Sequence, residues 1–278
     1  MIAYFNGRFM PKEEVKISPD DRGFLLGDGV YEVIRSYSGR LFKVEEHFRR
    51  MARSLRELRI HGVDTEDLKG IVEALIEYNE LGDGDAKLYI QITRGVAPRR
   101  HSFPDEGTPP TVYATASPFQ PPRQKWEHGV RIILVPDIRW ARCDIKSVAL
   151  LPNILANQQA KERGAEEAVF VRDGAITEGS HTNFCAVFDG ELATHPKSNY
   201  ILAGIMRETV LDLCDELDVP VKEFPIFERD LKEADELMIL GTTSEIMSVV
   251  QVNDWEVGDG TPGRIAMKLQ RAYRELAY

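Results

Sequence analysis

Apolar and polar positions recur with two different periods along the chain, and each period predicts one kind of element. Segments 3–5 and 8–10 flank Asn6-Gly7, a dipeptide that accepts the positive φ angles of a tight hairpin turn. In 44–58 the apolar residues recur at helical spacing, which predicts an amphipathic helix. By the same reasoning we expect strands near 30–37, 87–93, 111–117, 130–135, 168–172, 175–178, 184–188, 219–224, 237–240 and 247–252, and helices near 68–76, 153–163, 204–217 and 263–276.

Three prolines mark the predicted domain boundary. Pro118, Pro121 and Pro122 can neither continue a helix nor pair inside a sheet. With 278 residues, of which 43% are hydrophobic, the chain is long enough for two modest domains. We therefore expect a small N-terminal α/β domain over 1–117, a linker over 118–124 and a larger C-terminal domain over 125–278.

The charge pattern argues for small-molecule chemistry. A formal net charge of -10, with acidic and basic residues interspersed, leaves no basic surface for nucleic acid or for an anionic membrane. We find neither a signal-like N-terminus nor an apolar run that could cross a bilayer, so a cytoplasmic protein is expected. The three cysteines, Cys143, Cys185 and Cys214, have no metal-site or disulfide spacing and are expected to be reduced; no metal is expected.

One lysine stands in an unusual place. Lys146 follows Ile145 and precedes the apolar run 148–151. A lysine in such surroundings either extends its amine to solvent or is held there for the amine itself. The lysine alone leaves both interpretations open.

Two segments and one arginine could bind an anion. Gly204 opens a predicted helix, whose first backbone amides point outward at the positive end of the helix dipole. Residues 241–244 leave a strand with hydroxyls and free amides, and Arg50 supplies a planar cation. Taken singly, such residues are more commonly ordinary caps, a turn and a solvated charge. Neither segment is a nucleotide or dinucleotide phosphate loop.

Two further groups carry candidate chemistry. Glu178 ends a predicted strand at a Gly-Ser turn, where its carboxylate could keep a heteroaromatic nitrogen protonated or could cap the turn. Arg99 and His101 are two residues apart in a polar loop, so both could project to one side and bind a carboxylate. Basic residues in such loops are more commonly only solvated.

Taken in order, these motifs resemble a known family. The apolar-flanked Lys146, Thr-Glu-Gly-Ser-x-x-Asn at 177–183, Leu-x-Gly-Ile at 202–205 and Gly-Thr-Thr-Ser-Glu-Ile at 241–246 are similar to those of the fold type IV (class IV) pyridoxal-phosphate-dependent aminotransferases. The similarity extends over nearly the whole chain. It implies an α/β (α+β) fold of two domains, a β-barrel-like sheet in the larger cofactor-binding domain, pyridoxal 5'-phosphate between the domains, and a homodimer.

The resemblance also implies roles for individual residues. Lys146 would form the internal aldimine and Glu178 would pair with the pyridine nitrogen. The implied cofactor-binding residues are Arg50, Lys146, Glu178, Leu202, Gly204, Ile205, Met206, Thr242 and Thr243. The implied substrate-binding residues are Tyr31, Glu32, Val33, Arg99, His101, His181 and Thr182. Among these, Tyr31 would trap the substrate α-carboxylate together with Arg99 and His101 of a partner subunit, and Glu32 would belong to the hydrogen-bonded shell.

The details favour the D-amino-acid-specific members of the family. Val33 stands where the branched-chain L-amino-acid enzymes generally have glycine, and Pro-Arg-x-His at 98–101 is similar to the D-specific loop. Met206 replaces a threonine of many relatives, and His181 replaces a small serine. We expect transamination between D-alanine-like or D-glutamate-like amino acids and 2-oxo acids. The alternatives are a branched-chain L-amino-acid or amine transaminase, an aminodeoxychorismate lyase, and a non-catalytic protein that binds a phosphate ligand.

Overall fold

The computed structural model describes all residues from 1 to 278. The chain divides into two compact units, one of Met1–Pro121 with Ile145–Ala149, the other of Pro122–Asp144 with Leu150–Tyr278. The division after Pro121 falls inside the expected linker 118–124. Residues 145–149 differ from expectation, because they belong to the first unit although they lie in the sequence range 125–278. They join it as a strand-like segment: Val148 N–H donates to the Gly29 carbonyl oxygen at 3.0 Å.

The first unit is one antiparallel sheet with two long helices. Its elements are β1 (Ile2–Phe5), β2 (Arg8–Pro11), α1 (Arg22–Leu26), β3 (Gly29–Tyr37), β4 (Arg40–Leu41), α2 (Val44–Leu58), α3 (Asp67–Tyr78), β5 (Ala86–Thr93) and β6 (Thr111–Pro118), with a 3-10 turn at Lys12–Glu14. The strand order is β2-β1-β6-β5-β3-β4. The predicted hairpin is confirmed, with φ of 44° at Asn6 and 89° at Gly7.

One face of this sheet is apolar and packs against α2 and α3. Along β3, Val30 and Ile34 join Met51 of α2 and Leu75 of α3 in a buried cluster. Because successive side chains of a strand point to opposite faces, Tyr31 and the other half-buried residues of β3 lie on the second face. Helix α2 has the predicted bounds because its apolar stripe covers this core along its whole length.

The second unit contains a closed ring of strands. Its elements are α4 (Arg123–His128), β7 (Val130–Pro136), α5 (Leu151–Glu162), β8 (Glu167–Arg172), β9 (Ala175–Gly179), β10 (Asn183–Phe188), β11 (Glu191–Thr194), α6 (Ile205–Glu216), β12 (Val221–Glu223), β13 (Ile226–Phe227), β14 (Glu236–Gly241), β15 (Glu245–Val252), β16 (Trp255–Glu256) and α7 (Arg264–Ala277), with a 3-10 helix at Glu228–Glu233.

Six of these strands pair in the cycle β10-β14-β15-β7-β8-β9 and back to β10. The closing contact is a single residue pair, Glu178 of β9 opposite Asn183 of β10. The expected β-barrel-like sheet is thereby confirmed, and residues 178–183 form the tight turn at the seam of the barrel.

Two further observations bear on the expectations. None of the helices combines the length and the apolar composition that crossing a membrane would require. The three cysteines are free thiols and all are buried.

Candidate active site

Lys146 is held by two elements of the first unit. Its carbonyl oxygen accepts from Tyr31 N–H at 3.0 Å, and its own N–H donates to Ser54 Oγ of α2 at 3.3 Å. Its Nζ lies 4.4 Å from the centroid of the Tyr31 ring. The half-buried side chain therefore keeps its amine beside an aromatic face, which favours the interpretation that the lysine is held for its amine.

Tyr31 and Val33 share one face of β3. Both are half-buried, and Tyr31 stacks on Tyr89 of β5 with 5.8 Å between ring centroids. The Tyr89 hydroxyl donates to Gln91 Oε1 at 2.6 Å, which fixes this neighbour. The sheet face thus brings Tyr31 and Val33 to the same side as the Lys146 amine.

Glu32 points to the opposite face of β3, where it is fully buried against α2. Its Oε1 accepts from Arg50 Nε at 2.6 Å, and its Oε2 accepts from Arg50 Nη2 at 2.8 Å. Glu32 therefore holds the Nε–Nη2 edge of Arg50. Because side chains alternate across the strand, Glu32 does not share the face of Tyr31 and Val33.

His47 completes this buried network. Its Nδ1 lies 2.8 Å from Glu32 Oε2. Burial raises the pKa of Glu32, but the charges and hydrogen bonds of Arg50 and His47 outweigh it and hold that pKa well below its usual range. The carboxylate is therefore ionised and can only accept, so His47 must carry a proton on Nδ1.

Arg99 and His101 lie in the segment between β5 and β6, and both are exposed. No hydrogen bond or ion pair of either side chain is formed within the chain. Neither Arg99 nor His101 contacts Tyr31 within the same unit. A shared role with Tyr31 in carboxylate binding therefore remains a prediction.

In the second unit, three donors fix the carboxylate of Glu178. Its Oε1 accepts from Arg139 Nη1 at 2.5 Å. Its Oε2 accepts from the Leu202 backbone N–H at 2.9 Å and from Asn183 Nδ2 at 3.1 Å. A buried carboxylate paired with a guanidinium stays charged, so Glu178 can accept a hydrogen bond from a protonated ligand nitrogen.

The same asparagine anchors the start of α6. Asn183 Nδ2 also donates to the Leu202 carbonyl oxygen at 2.9 Å. Gly204 is the N-cap of α6 and supplies no side-chain cap, so the first amides of the helix, Ile205 and Met206, have no capping partner from that residue. A Cβ on Gly204 would lie 1.9 Å from Asn183 Oδ1, so any other residue there would force the Asn183 side chain to move.

Thr242 and Thr243 form the turn between β14 and β15, and both are half-buried. Trp126 Nε1 donates to the Ser244 carbonyl oxygen at 2.7 Å and fixes this turn. Leu240 pairs with Asn183, so the turn lies at the same end of the barrel as Glu178. The Met206 side chain is buried, so that position offers only its backbone donor to a ligand.

His181 and Thr182 occupy the turn between β9 and β10. Glu167, fully buried, accepts from Ser180 Oγ at 2.5 Å and from Thr182 Oγ1 at 2.9 Å. His181 Nδ1 lies 2.9 Å from Glu167 Oε2, while the histidine side chain is 47% exposed. One carboxylate thus organises the whole turn that begins at Glu178.

The comparisons with known proteins agree with this arrangement. The sequence matches the family described as amino-transferase class IV over residues 29–252. The chain belongs to the class IV aminotransferases. It is 41% identical over 274 residues to the D-alanine aminotransferase of Staphylococcus haemolyticus, covering 98% of this chain and 96% of that protein.

Solved aminotransferase structures have the same fold as this class IV aminotransferase. The branched-chain aminotransferase of the archaeon Thermoproteus uzoniensis, solved with norvaline, has a TM-score of 0.89 at 28% identity, covering 100% of this chain and 94% of that one. A branched-chain amino acid aminotransferase from T.th., solved with pyridoxamine 5'-phosphate, has a TM-score of 0.90 at 26% identity, covering 99% and 93%.

Sequence reasoning on the aminotransferase missed several residues of the site. Arg139 lies in a loop without periodicity, and His47 is one of several polar residues in α2, so neither gave a signal. Asn183 was visible as the last residue of the 177–183 motif but received no role. Glu167 is the first residue of β8 and directly precedes the apolar run 168–171, which is an unusual place for a carboxylate and could have been noticed.

Class IV aminotransferases use pyridoxal phosphate, and the donor sets of this chain fit that group. The first unit offers the Lys146 amine for an aldehyde. The second unit offers the Glu178 carboxylate for a ring nitrogen and the uncapped start of α6 for a phosphate. A side chain at position 204 would collide with Asn183.

Proposed function

We propose that the protein is a pyridoxal-phosphate-dependent D-amino-acid aminotransferase, which exchanges amino groups between D-alanine-like or D-glutamate-like amino acids and 2-oxo acids. The single observation that carries the substrate class is the 41% identity to a D-alanine aminotransferase across 98% of the chain. The geometry of Lys146 and Glu178 supports the reaction type.

In the second unit, the phosphate would be held at the start of α6 and at the turn after β14. The backbone amides of Ile205 and Met206 point out of the start of α6, where the helix dipole favours an anion. Thr242 and Thr243 would add donors from the turn after β14. Leu202 would pack against the ring, since its backbone is fixed by Glu178 and Asn183.

When bound, pyridoxal phosphate supplies an aldehyde that condenses with amines and a ring that accepts the electron pair released from the α-carbon. Lys146 would take the substrate α-proton on the neutral amine Nζ and later return a proton to the product. Glu178 would accept a hydrogen bond from the ring nitrogen and keep that nitrogen protonated. Arg139 would keep Glu178 charged for this task.

The substrate α-carboxylate would bind to Tyr31 together with Arg99 and His101 of a partner subunit. Helix α5 supports a homodimer: Leu151, Ile154 and Leu155 lie on one face of it and are 67%, 60% and 51% exposed. Such a row of exposed apolar residues is typical of a protein interface. In the first unit, Val33 would then border the substrate side chain. The proposal gives His181 and Thr182 of the second unit a substrate-binding role as well.

A branched-chain L-amino-acid aminotransferase is the second candidate. It is favoured by the solved branched-chain enzymes, whose TM-scores reach 0.90. Val33 argues against it, because a side chain there narrows the sheet face that carries Tyr31.

An absorbance titration separates these candidates. The cofactor-loaded protein is mixed with D-alanine, D-glutamate, L-alanine or L-leucine, without an acceptor, and the visible band is followed. We expect the D-amino acids to bleach the band and D-alanine with 2-oxoglutarate to yield pyruvate. A faster response to L-leucine would establish the second candidate, and a coloured protein unaffected by any amino acid would indicate ligand binding without catalysis.

The lysine is tested by Lys146→Ala, with the exposed Lys222→Ala as the matched control. We expect Lys146→Ala to lose both the visible band and all transamination, and Lys222→Ala to retain both. Transamination by Lys146→Ala would remove the central element of the proposal.

A further inference from the structure

The segment between β5 and β6 is tied down, although its side chains are exposed. At its base, a Cβ on Gly95 would lie 2.0 Å from the Pro109 carbonyl oxygen, so the two ends of the segment touch. Near its tip, Arg22 Nη1 donates to the carbonyl oxygens of Arg100 at 2.7 Å and Ser102 at 3.3 Å. These two carbonyl groups flank His101.

The Arg22 side chain is held by Asp28. It is the first residue of α1, only 3% exposed, and its Nε donates to Asp28 Oδ2 at 2.8 Å. Burial raises the pKa of Asp28, but hydrogen bonds from Arg94 and Arg22 outweigh this and lower the pKa below its usual value. Asp28 is therefore a charged anchor, and Arg22 joins it to the loop.

Asp28 holds a second arginine that reaches the same loop. Arg94 donates to Asp28 from Nε at 2.8 Å and from Nη2 at 2.9 Å. The Arg94 guanidinium carbon lies 3.8 Å from the centroid of the Phe103 ring. One carboxylate thus fixes the loop through backbone at 100 and 102 and through a ring at 103.

We propose that Arg22, oriented by Asp28, is a positioning residue for substrate recognition. It holds the backbone on both sides of His101, so that the exposed side chains of Arg99 and His101 are presented in one arrangement. A preorganised pair of cations binds a carboxylate without first losing loop entropy. This inference rests on the proposed function, which assigns carboxylate binding to that pair.

Arg94 and Arg22 differ in what else they contact. Arg94 also donates to the carbonyl oxygens of Leu58 and Arg59 at 2.7 and 2.9 Å, and so it caps the end of α2. Arg94 therefore stabilises the fold as well as the loop. Arg22 Nη1 has only the two loop carbonyls as hydrogen-bond acceptors, which makes Arg22 the cleaner residue to change.

The test is Arg22→Ala in the cofactor-loaded enzyme, with the exposed Arg8→Ala as control. We expect the KM for D-alanine to rise roughly ten-fold, with kcat within about two-fold and cofactor affinity unchanged, because the loop loses its donor at 100 and 102 while Asp28 keeps its bonds to Arg94. Added ethylguanidinium should lower the KM again by refilling the Arg22 site. Arg8→Ala should behave as the unchanged protein.

Arg99→Ala separates the two levels of the argument. If Arg99→Ala raises KM while Arg22→Ala does not, the positioning role of Arg22 is wrong and the proposed function stands. If Arg99→Ala leaves KM unchanged, carboxylate binding by this loop is wrong and the inference fails with it. Should Arg22→Ala not fold, Arg22→Lys decides: it keeps a charge beside Asp28 but loses the planar fork, so its KM should also rise.

Discussion

Glu178 and Arg139 form a buried ion pair in which 2.5 Å separates Oε1 from Nη1. Arg139 also faces Asp137, whose Oδ1 accepts from its Nε at 2.9 Å and whose Oδ2 accepts from its Nη2 at 2.9 Å. Burial lowers the pKa of Arg139, but Asp137 and Glu178 outweigh this and raise it. The cation therefore stays charged between two carboxylates, and Glu178 is kept in its ionised form.

The first prediction concerns this pair. Arg139→Gln removes the guanidinium from Glu178 and leaves Asp137 with Arg172 as its remaining cation, which should cost about 3–5 kcal/mol in the free energy of unfolding. It should also lower kcat, because Glu178 Oε1 would lose the charged donor that fixes it. Urea unfolding and steady-state kinetics measure the two effects. The exposed Arg229→Gln, whose ion pair with Asp230 is at the surface, should change stability by less than about 1 kcal/mol.

A double variant shows whether the charges are coupled. Asp137→Asn combined with Arg139→Gln also removes one of the two carboxylates that Arg139 contacts, so its loss of stability should fall short of the sum of the single changes by about 1 kcal/mol or more. Strict additivity would show that Asp137 and Arg139 act independently.

The second prediction concerns the start of α6. Gly204 has φ of -73° and ψ of 136°, which any residue can adopt, so Gly204→Ala is opposed only by the 1.9 Å contact with Asn183 Oδ1. Asn183 must then move and release Leu202 and Glu178. We expect the dissociation constant for pyridoxal phosphate to rise about ten-fold or more, as for a lost charge-assisted hydrogen bond. Equilibrium dialysis measures it.

Gly70→Ala is the matched control for that change. Gly70 lies inside α3, and a Cβ there would meet nothing within 4 Å. The substitution should raise stability by about 0.5–1 kcal/mol, the helix preference of alanine over glycine, and leave cofactor affinity unchanged. Equal affinities for Gly204→Ala and Gly70→Ala would contradict the steric argument.

The third prediction concerns acid stability. Burial, together with the charges of Arg50 and Lys146, lowers the pKa of His47 below its ordinary 6.5 despite the opposing effect of Glu32. Below pH 6.5 the unfolded chain therefore binds a proton at His47 that the folded protein does not. Stability should fall with pH from about 6.5 downward, by at most about 1.4 kcal/mol per pH unit from this group.

At lower pH, Glu32 also makes the folded protein less stable as the pH falls. Its pKa is depressed in the folded state, so its contribution is present above the unfolded value of about 4.5 and is lost as the pH falls toward the folded value. His47→Asn keeps an N–H donor for Glu32 but cannot titrate. Urea unfolding at pH 5, 6 and 7 should therefore show a flatter pH dependence for His47→Asn, whereas the exposed His128→Asn should follow the unchanged protein.

Much of the fold followed from local patterns. The bounds of α2 and the hairpin at Asn6-Gly7 were predicted because periodicity and turn chemistry are local properties. The short elements α4, β11, β13 and β16 were not predicted, since two to six residues are too few to show a period. The predicted helix near 68–76 is α3, which begins one residue earlier, at Asp67, and ends two residues later, at Tyr78.

Long-range partners could not be predicted from periodicity. The closure of the barrel depends on Glu178 pairing with Asn183, and the return of residues 145–149 to the first unit depends on the edge of β3. The family motifs pointed to Lys146 and Glu178 as candidates. Arg139 was missed because burial of its charge becomes visible only once distant strands are packed.

The last prediction concerns the size of the substrate pocket. His181 is half exposed at the turn after Glu178, and its Nδ1 is held by Glu167. Under the proposed function this imidazole narrows the space for the substrate side chain, since the position otherwise would hold a small residue. His181→Ser should raise kcat/KM for D-phenylalanine relative to D-alanine by about ten-fold, the range a few carbon atoms contribute in a pocket. One competition assay with both substrates measures the ratio of the two kcat/KM values.

His195→Ser is the control, because it changes a histidine on a different segment and should leave that ratio unaltered. Equal ratios for His181→Ser and His195→Ser would place His181 outside the pocket.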